Sequence, residues 1–347
     1  MTVKRTTISD VAERAGVSKA TVSAVLNDKG TVHHATRERV VEAIRALNYR
    51  PRTTVGLPRP GDRRSLGLLI KEADNPYYWE IVLGIRAYGR ERGYAVVVAS
   101  SEGDARAEQE ATELLRGHGV AGLVVTPVMD SDTDLSHLFE LNRRNFPFVL
   151  LEQIRGLRAS LVDVDNVDAS RCAVEFLIRQ GHKHIVHFAG PTYSMHSEER
   201  IDGVRRAFSR SSLVFPEAAI VPSGAHLEDG YRTALEYFRD RSAADRPTAA
   251  TCYNDLVALG LIRALRELDL SIPGDVSVVG FDNLSILPYV GVPLTTVHVP
   301  KVEMGERATE MLIRRIEAKE SLPAERINFE GRLVVRGSTR SLDGTRG

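Results

Sequence analysis

The stretch "TTISDVAERAGVSKATVSAVLN", from Thr6 to Asn27, decides the fold of the amino-terminal region. Its first half carries apolar residues at the spacing of one helical face, and Thr7 with Asp10 forms a capping-box-like start to that helix. Gly16 supplies the permissive backbone that ends the helix, and Ser18 can cap a second one. Two short helices joined by such a brief turn predict a helix-turn-helix.

A third helix is expected at about residues 36–47. Apolar residues of the second and third helices can then close a small core: Val22, Val25, Leu26, Val40, Val41, Ile44 and Leu47. The region is also basic, because Met1 to Arg64 holds 13 Lys+Arg against 6 Asp+Glu, a formal charge of +7 that the remainder of the neutral chain balances with −7. This asymmetry favours a polyanion partner, with a solvated basic surface as the alternative.

The exposed face of the second helix suits nucleic acid. It presents small, hydroxyl-bearing and basic side chains: Ser18, Lys19, Ala20, Thr21, Ser23 and Ala24. Hydroxyls at a helix amino terminus suit phosphate because the free N–H groups and the helix dipole favour anions. A lysine beside small alanines can reach guanine acceptors in a major groove. On these grounds alone, an ordinary three-helix module with a polar face remains the alternative.

The whole pattern, "TISDVAERAGVSKATVSAVLN" followed by "TRERVVEAIRALNYRP", closely resembles the DNA-binding head of the lac repressor (LacI/GalR) family. By that resemblance, Lys19, Ala20 and Ala24 occupy base-reading positions. The phosphate-contacting positions are Ser18, Thr21, Ser23 and Asn27, and the matched positions Thr7 and Tyr49 are assigned to the same DNA-binding surface. The resemblance therefore implies a helix-turn-helix domain over residues 1–50 that binds operator DNA.

A linker is expected at residues 51–64, within "RPRTTVGLPRPGDRRS". The resemblance implies a hinge helix here, with a leucine that wedges into the minor groove. This chain departs from that pattern, because Pro58 stands at the leucine position, Leu57 precedes it and Arg52 replaces a common asparagine. Pro58 also disfavours helical geometry at Leu57. We favour a short or distorted hinge with Leu57 or Pro58 as the wedge and Arg52 near the DNA backbone or minor groove; a flexible tether is the alternative.

From Leu66 onward, apolar runs of strand length alternate with amphipathic helical segments. The expected strands are "SLGLLI", "AVVVA", "GLVV", "FVLL", "LVDV", "HIVHFAG", "AATCY", "VSVVGF", "TTVHV" and "RLVV". This alternation predicts an α/β fold of parallel sheets covered on both faces. About 280 residues are too many for one such sheet, so we expect two subdomains with a cleft between them. Ligands of such folds bind at the carboxyl ends of the strands.

The family resemblance extends over this region as well. Segments such as "DNPYYWEI", "VDVDN", "GHKHIVHFAGP" and "IPGDVSVVGFDN" look like the family's effector-binding core, which resembles the periplasmic sugar-binding proteins. The resemblance implies an effector-binding domain at 65–343 whose chain crosses between subdomains three times, near Asp163–Val167, Val292–Thr296 and Asn328–Gly331. The first subdomain would comprise about 65–163 and 296–328, and the second about 166–293 and 331–343.

Four residues are the leading candidates for the effector site. Tyr77 and Tyr78 begin a helix after an Asn-Pro turn, where an aromatic ring can stack on a sugar or a base or simply pack in the core. Arg200 offers a fork of donors for hydroxyl pairs or carboxylates. Asp282 ends the strand "VSVVGFD" at the tip that faces the cleft. The resemblance places these positions in the pocket; a simple pair between the two charges is the alternative.

The resemblance maps further polar residues to pocket positions: Thr126, Glu152, His196 and Asn254. Asp165 either lines the cleft or pins the first crossing. Ala225 stands where some family members carry a stacking aromatic, which suggests a wider pocket or a different ligand shape. Its neighbour His226 could take the place of that aromatic, but we favour a position on the surface.

Two motifs that resemble cofactor or metal sites are set aside. "GHGVAG", residues 117–122, satisfies a dinucleotide-binding pattern, but a helix precedes it and a strand follows it, the reverse of the required context. His182 and His184 would share one face of a strand and His187 the other, with no local Cys or acidic ligand. We therefore predict no cofactor and no metal.

Broad sequence features set the class of protein. No apolar run approaches the length that spans a bilayer, the amino terminus lacks a signal-peptide pattern and the two cysteines form no framework, so we expect a cytoplasmic protein, nucleoid-associated when bound to DNA. The resemblance implies a homodimeric transcriptional repressor of a near-palindromic operator, controlled by a sugar, a sugar acid or a purine. The alternatives are a solute-binding protein and an α/β enzyme, although the chain shows no nucleophile elbow or P-loop and we predict no catalytic residues.

Overall fold

The computed structural model describes residues 7–26, 32–47, 65–129 and 134–342. The chain divides into two compact units, Met1–Arg59 and Pro60–Gly347, which we call the head and the core. The linker predicted at 51–64 lies outside the described residues, as do five predicted DNA contacts: Asn27, Tyr49, Arg52, Leu57 and Pro58. Within the described ranges, no helix is long and apolar enough to cross a membrane.

The head consists of three helices, α1 (Ile8–Ala15), α2 (Lys19–Leu26) and α3 (His34–Ala46). Each helix contributes apolar side chains to one small core, which includes Val11, Val22 and Val40 at 0% exposure. Val22, Val25 and Val40 are buried as predicted, with Val41, Ile44 and Leu47 packed against them. The predicted helix-turn-helix is confirmed.

Local capping interactions define the turn between α1 and α2. Thr7 and Asp10 form the predicted capping box, in which the Thr7 amide donates to the Asp10 carboxylate at 2.6 Å. Gly16 ends α1 at a φ of 62°, the left-handed conformation that glycine adopts without strain. The Thr21 amide then donates to Ser18 Oγ at 3.1 Å, so Ser18 caps α2 as predicted.

The first half of the core is built on a six-stranded sheet in the order β11-β5-β4-β3-β1-β2, in which all paired neighbours are parallel. Its strands are β1 (Ser65–Ile70), β2 (Ala95–Ser100), β3 (Gly122–Val125), β4 (Phe148–Leu150), β5 (Ser160–Val164) and β11 (Arg326–Phe329). The helices that belong to it are α4 (Pro76–Glu91), α5 (Ala105–Gly117), α6 (Ser136–Arg143) and α11 (Lys301–Glu317). We call this half the first subdomain.

The second subdomain repeats this plan with the strand order β12-β10-β9-β8-β6-β7. Its strands are β6 (Ile185–Ala189), β7 (Ile220–Pro222), β8 (Ala249–Cys252), β9 (Ser277–Asp282), β10 (Thr295–His298) and β12 (Arg332–Val334), of which β12 pairs antiparallel with β10. Its helices are α7 (Asn166–Arg179), α8 (Met195–Ser209), α9 (Leu227–Phe238) and α10 (Asp255–Glu267). The predicted α/β fold with two sheets is therefore confirmed.

All ten strands expected from the sequence are present, and two short strands were not expected. β7 and β11 lie at the outer edges of their sheets and are only partly buried. β7 spans only Ile220–Pro222, and β11 alternates polar and apolar residues, so neither gives the longer apolar run of an inner strand. The strand expected at "HIVHFAG" is shorter than its pattern suggested. Because β6 begins at Ile185, His182 and His184 precede it, and their predicted shared strand face is wrong.

The second of the three crossings also differs from its expected place. β10 pairs with β9 and β12 in the second sheet, so the chain returns to the first subdomain only between His298 and Lys301, after the expected Val292–Thr296. The other two crossings lie between β5 and α7 and between β11 and β12. The returning segment of the first subdomain therefore begins near Lys301 and not near residue 296.

Candidate functional site

A cleft with a cavity of about 420 Å³ lies at the carboxyl ends of strands from both sheets. Its walls come from residues that end or directly follow β1, β3, β4, β6, β7, β8 and β9. The residues predicted for the effector site that line it are Tyr77, Tyr78, Thr126, Glu152, His196, Arg200, Asn254 and Asp282. A cleft of this size at the strand ends is the expected ligand position in such folds.

Asp165 is the one predicted effector-site residue that does not line the cavity. It caps α7, because its carboxylate accepts the amide of Asp168 at 2.9 Å. The Asp165 carboxylate therefore fixes the start of α7, directly after the first crossing.

Arg200 lines the cavity and its side chain is 5% exposed. Its Nε donates to Asn166 Oδ1 at 3.0 Å, one terminal nitrogen donates to the carbonyl of Tyr253, and the other lies 3.9 Å from Asp282 Oδ1. The guanidinium also lies over the ring of Phe281, 3.7 Å from its centroid. The Arg200 side chain is therefore held in one orientation by four groups: Asn166 of α7, Tyr253 after β8, and Phe281 and Asp282 of β9.

The Asp282 carboxylate is buried beside this guanidinium. Burial raises the pKa of Asp282 to about 6, although the charges of Arg200, Lys301 and His196 act in the opposite direction. Asp282 and Arg200 do pair across 3.9 Å, and both still line the cavity. The pairing that was the alternative to ligand binding is thus compatible with a ligand site.

An ion pair that the sequence did not suggest forms part of the first-subdomain wall. Lys71 Nζ lies 2.5 Å from Glu152 Oε2, and Ser194 Oγ donates to the other oxygen of Glu152 at 3.1 Å across the cleft. Burial would raise the pKa of Glu152, but the charges of Lys71 and His196 outweigh it and lower that pKa to about 2. Lys71 directly follows the strand "SLGLLI", and this position was the available signal for it.

A second cross-cleft pair joins His196 to Asp163. His196 Nε2 lies 2.9 Å from Asp163 Oδ1. Burial lowers the pKa of His196, but the carboxylates of Asp163 and Glu152 more than offset this and raise it. Asp163 can form this pair because it lies near the end of β5, at the boundary between the subdomains.

His226, for which we favoured a surface position over a place in the pocket, lines the cavity and bridges the two subdomains. Its side chain is half exposed, yet Nε2 lies 3.0 Å from Glu72 Oε1 in the other subdomain and Nδ1 lies 3.2 Å from Asp229 Oδ2. The hydrogen bond to Glu72 is the main reason that the pKa of His226 rises to about 9. Ala225 beside it lines the cavity without an aromatic ring, as the sequence indicates.

Aromatic rings form the remaining wall. Tyr77 and Tyr78 pack edge to face with ring centroids 5.4 Å apart, and both line the cavity. Tyr253 lines it as well and was missed, although it ends the predicted strand "AATCY". Asn254 next to it caps α10 and donates its amide to the carbonyl of Ala225 at 2.8 Å. The cleft thus combines ring faces with fixed hydrogen-bonding groups.

In the described ranges, no group of three His, Cys, Asp or Glu residues is arranged to hold a metal ion. His182 instead contacts Thr248 Oγ1 at 3.0 Å and the Arg340 carbonyl at 3.1 Å. The "GHGVAG" segment follows α5 and leads into β3, so its context is the reverse of a dinucleotide site, as predicted.

Replacing Glu152 by glutamine is expected to lower the free energy of unfolding at pH 7 by about 3 kcal/mol. The folded-state pKa of about 2 lies below the ordinary value of 4.5, so the ionised carboxylate stabilises the fold above pH 4.5. That contribution is lost as the pH falls toward 2, and the difference from wild type should shrink to less than half by about pH 3. Urea unfolding of the wild type and the variant, at pH 7 and at about pH 3, measures this difference in the free energy of unfolding.

The matched control is Glu303→Gln on the exposed face of α11, which should change stability by less than about 0.5 kcal/mol at either pH. A Glu152→Gln deficit that stays constant with pH would show that its ionisation does not stabilise the fold.

The head presents a second candidate surface along α2. Ser18, Lys19 and Ala20 are exposed at the amino end of this helix, and Thr21, Ser23 and Ala24 are partly exposed. Thr7 is exposed but its hydroxyl and amide are engaged in the capping box. The surface therefore combines a lysine with small side chains at a helix amino terminus.

Comparison with known proteins finds matches along nearly the whole chain. Residues 7–52 match the model of bacterial regulatory proteins of the lacI family, and residues 174–339 match the periplasmic binding protein-like domain. The HTH-type transcriptional repressor PurR of Photobacterium profundum is 32% identical over 343 residues, 97% of this chain and 99% of that protein. PurR of Glaesserella parasuis is equally similar, with 32% identity over 343 residues.

Solved structures of transcriptional regulators are also similar over nearly the whole chain. The transcriptional regulator CelR in its complex with cellobiose is 30% identical, has a TM-score of 0.72 and covers 96% of this chain and 100% of its own. The lac repressor dimer bound to operator and the anti-inducer ONPF is 26% identical, with a TM-score of 0.70 over 97% of this chain and 100% of its own.

A helix-turn-helix head and a two-subdomain core with a ligand-sized cleft define a ligand-responsive regulator of transcription. The similarity to PurR over 97% of the chain identifies the family within this class. It belongs to the lacI family of bacterial regulatory proteins and is a transcriptional repressor with an effector-binding core, not an enzyme.

Proposed function

We propose that the protein represses transcription as a homodimer on a near-palindromic operator, and that a neutral sugar bound in the cleft controls its operator affinity. The observation that carries the choice of effector is the cleft itself, which sets tyrosine rings beside fixed donors and acceptors from both subdomains. Ring faces stack on sugars, and charged or amide side chains bind paired hydroxyls. Action on DNA would place the protein in the cytoplasm, on the nucleoid.

The charge pattern of the cleft favours a neutral ligand over a sugar acid. Each Lys, Arg or His among the described lining residues already faces a carboxylate. The four pairs are Lys71 with Glu152, Arg200 with Asp282, His196 with Asp163, and His226 with Glu72. An acidic ligand would have to displace one of these carboxylates or remain unpaired in a buried site, which is unfavourable.

A thermal-shift screen of the full-length protein tests the effector class. Neutral mono- and disaccharides, including cellobiose and ribose, are compared with matched uronic acids and with nucleobases. A ligand at a hundred times its Kd should stabilise the protein by about 2.7 kcal/mol, which is an easily measured rise in melting temperature. Stabilisation by a uronic acid or a nucleobase, with none by neutral sugars, would overturn the proposed effector class.

The effector can control DNA binding because both subdomains contribute residues to its proposed site. Because both subdomains supply contacts, a ligand that fits one arrangement of the subdomains better than another shifts their equilibrium. Operator affinity can change by no more than the ligand's differential affinity for the two arrangements. Operator titrations with and without the identified sugar measure this coupling.

The DNA contacts are proposed on α2 and its flanks. Lys19, Ala20 and Ala24 would face base edges in the major groove. The phosphate contacts would be Ser18, Thr21, Ser23 and Asn27. Thr7, Tyr49, Arg52 and either Leu57 or Pro58 would complete the surface. Selection from a random DNA library should return a near-palindromic consensus, and recovery without sequence preference would contradict the proposal.

Lys19→Ala is expected to relax discrimination at one base position of each half-site. The loss should be about 1–3 kcal/mol at that position, because a lysine that reads guanine acceptors is removed. Competition titrations with single-base operator variants measure it. Lys183→Ala, an exposed lysine of the core, is the matched control and should leave every affinity unchanged. Equal weakening on all sequences would make Lys19 a phosphate contact instead.

A second copy of the chain is proposed to cover an apolar surface that spans both subdomains. Trp79 and Leu83 are exposed one turn apart on α4, and Ile286 and Tyr289 are exposed after β9. Glu80 joins the two groups, because its Oε1 accepts the amide of Ser285 at 3.3 Å. We call this surface the α4 patch. Large exposed apolar patches mark interaction sites, and the similar lac repressor structure is a dimer.

A further inference from the structure

The turn at the end of β9 has an unusual backbone. Asp282 has a φ of 112° and Asn283 a φ of 54°, so two consecutive residues with side chains lie at positive φ. Such conformations are uncommon outside glycine and persist only where the surroundings over-determine them. Asp282 is also the residue whose carboxylate lines the cleft. The strained backbone therefore occurs at a point of proposed ligand recognition.

A buried ammonium group binds the backbone carbonyls of this turn. Lys301, the first residue of α11, is 1% exposed. Its Nζ donates to the carbonyl oxygen of Asp282 at 2.5 Å, and to those of Asn283 and Val299 at 3.3 Å each. An ammonium has three donors, so these three carbonyls match its full capacity. Glu80 Oε2 lies 3.4 Å away and balances the buried charge.

Further bonds fix the residues around the turn. The Asn283 amide donates to Thr296 Oγ1 at 3.3 Å, and the Leu284 amide donates to Asp255 Oδ2 at 2.8 Å. These bonds come from the second subdomain, whereas α11 and α4 bring Lys301 and Glu80 from the first. Lys301 therefore ties the turn to the opposite subdomain, at the second crossing of the chain.

We propose that Lys301 is a positioning residue for effector recognition. Its ammonium holds the Asp282–Asn283 turn in the backbone conformation that directs the Asp282 carboxylate into the cleft. Lys301 does not itself line the cavity, so it acts through Asp282 and not by touching the ligand. The inference rests on the proposed function only in taking Asp282 as an effector contact.

Hydrogen–deuterium exchange of the full-length protein, read by mass spectrometry, tests this without effector or operator. Peptides that cover residues 282–287 should be protected in the wild type, because the amides of Asn283, Leu284 and Ser285 donate to side chains. Lys301→Met should accelerate their exchange at least about tenfold while β6 and β8 stay unchanged. Lys319→Met, at an exposed lysine just beyond the end of α11, should have no effect.

Lys301→Gln separates hydrogen bonding from packing. Glutamine and methionine have similar length and volume, but only glutamine can donate to the carbonyls. We expect exchange of 282–287 in Lys301→Gln to lie between the wild type and Lys301→Met, at least about threefold slower than in the latter. Equal exchange in the two variants would assign Lys301 a packing role and overturn the proposal, as would wild-type exchange in Lys301→Met.

If Lys301→Met does not fold, the exchange of residues 282–287 in the wild type and in Lys301→Gln tests the proposal. Exchange of the wild-type turn at the rate of an open loop overturns the proposal, and protection that weakens in Lys301→Gln supports it. The thermal shift caused by the sugar from the screen should follow the same order, largest in wild type and smallest in Lys301→Met. A screen that finds no sugar would contradict the proposed effector class and leave the exchange result standing.

Discussion

Substitution of Arg200 by methionine is expected to abolish effector binding and to lower the free energy of unfolding by about 3–5 kcal/mol. Methionine fills much of the volume but removes the donors to Asn166 and Tyr253 and the charge opposite Asp282. The Asp282 carboxylate would then be buried with one fewer cation beside it. Denaturant unfolding and the sugar-induced thermal shift measure the two effects separately.

Arg206→Met on the same helix is the matched control. Arg206 is exposed and pairs with Asp202 at 2.8 Å on the outer face of α8, so its loss should change stability by less than about 0.5 kcal/mol and leave the thermal shift intact. If Arg200→Met bound the sugar with wild-type affinity, Arg200 would be a structural residue and the proposed site would need to be redrawn.

Leu83→Glu is expected to convert the proposed dimer to a monomer and to weaken operator binding about a hundredfold or more. A glutamate in the α4 patch would be buried without a compensating charge at the proposed contact between copies. Each monomer would then hold a single head, and the gain from binding two half-sites together would be lost. Sedimentation velocity gives the oligomeric state, and fluorescence anisotropy with the selected operator gives the affinity.

Val214→Glu provides the comparison, because Val214 is an exposed apolar residue of the second subdomain outside the α4 patch. It should remain dimeric and bind operator normally. A Leu83→Glu protein that stays dimeric would show that the two copies meet elsewhere, without affecting the assignment of the cleft.

Much of the cleft was predictable because its residues follow inner strands. Glu152 and Asp282 come at the ends of apolar runs, and parallel strands bring such ends to one edge of a sheet. The same rule would have found Lys71 and Tyr253, which also follow inner strands. Asp165 shows the limit of the rule, because one residue beyond β5 the chain already turns into α7 and the carboxylate serves as its cap.

The pairing of charges in the cleft was not predictable in the same way. Lys71 and Glu152 are 81 residues apart, and His226 and Glu72 are 154 apart. Which carboxylate meets which cation depends on how the two sheets face each other, and no local pattern records that. The second crossing was misplaced for a related reason, since only the pairing of β10 with β9 shows to which sheet it belongs.

The sequence by itself determined the helix-turn-helix and the identity of the inner strands. These depend on contacts between residues close along the chain, such as the Thr7–Asp10 capping box, and on apolar runs whose burial any compact fold must satisfy. Only the tertiary structure decided that the cations of the cleft are neutralised and that Lys301 holds the strained turn at Asp282. Those features join distant segments, and their energies arise only when burial brings the charges together and removes water from around them.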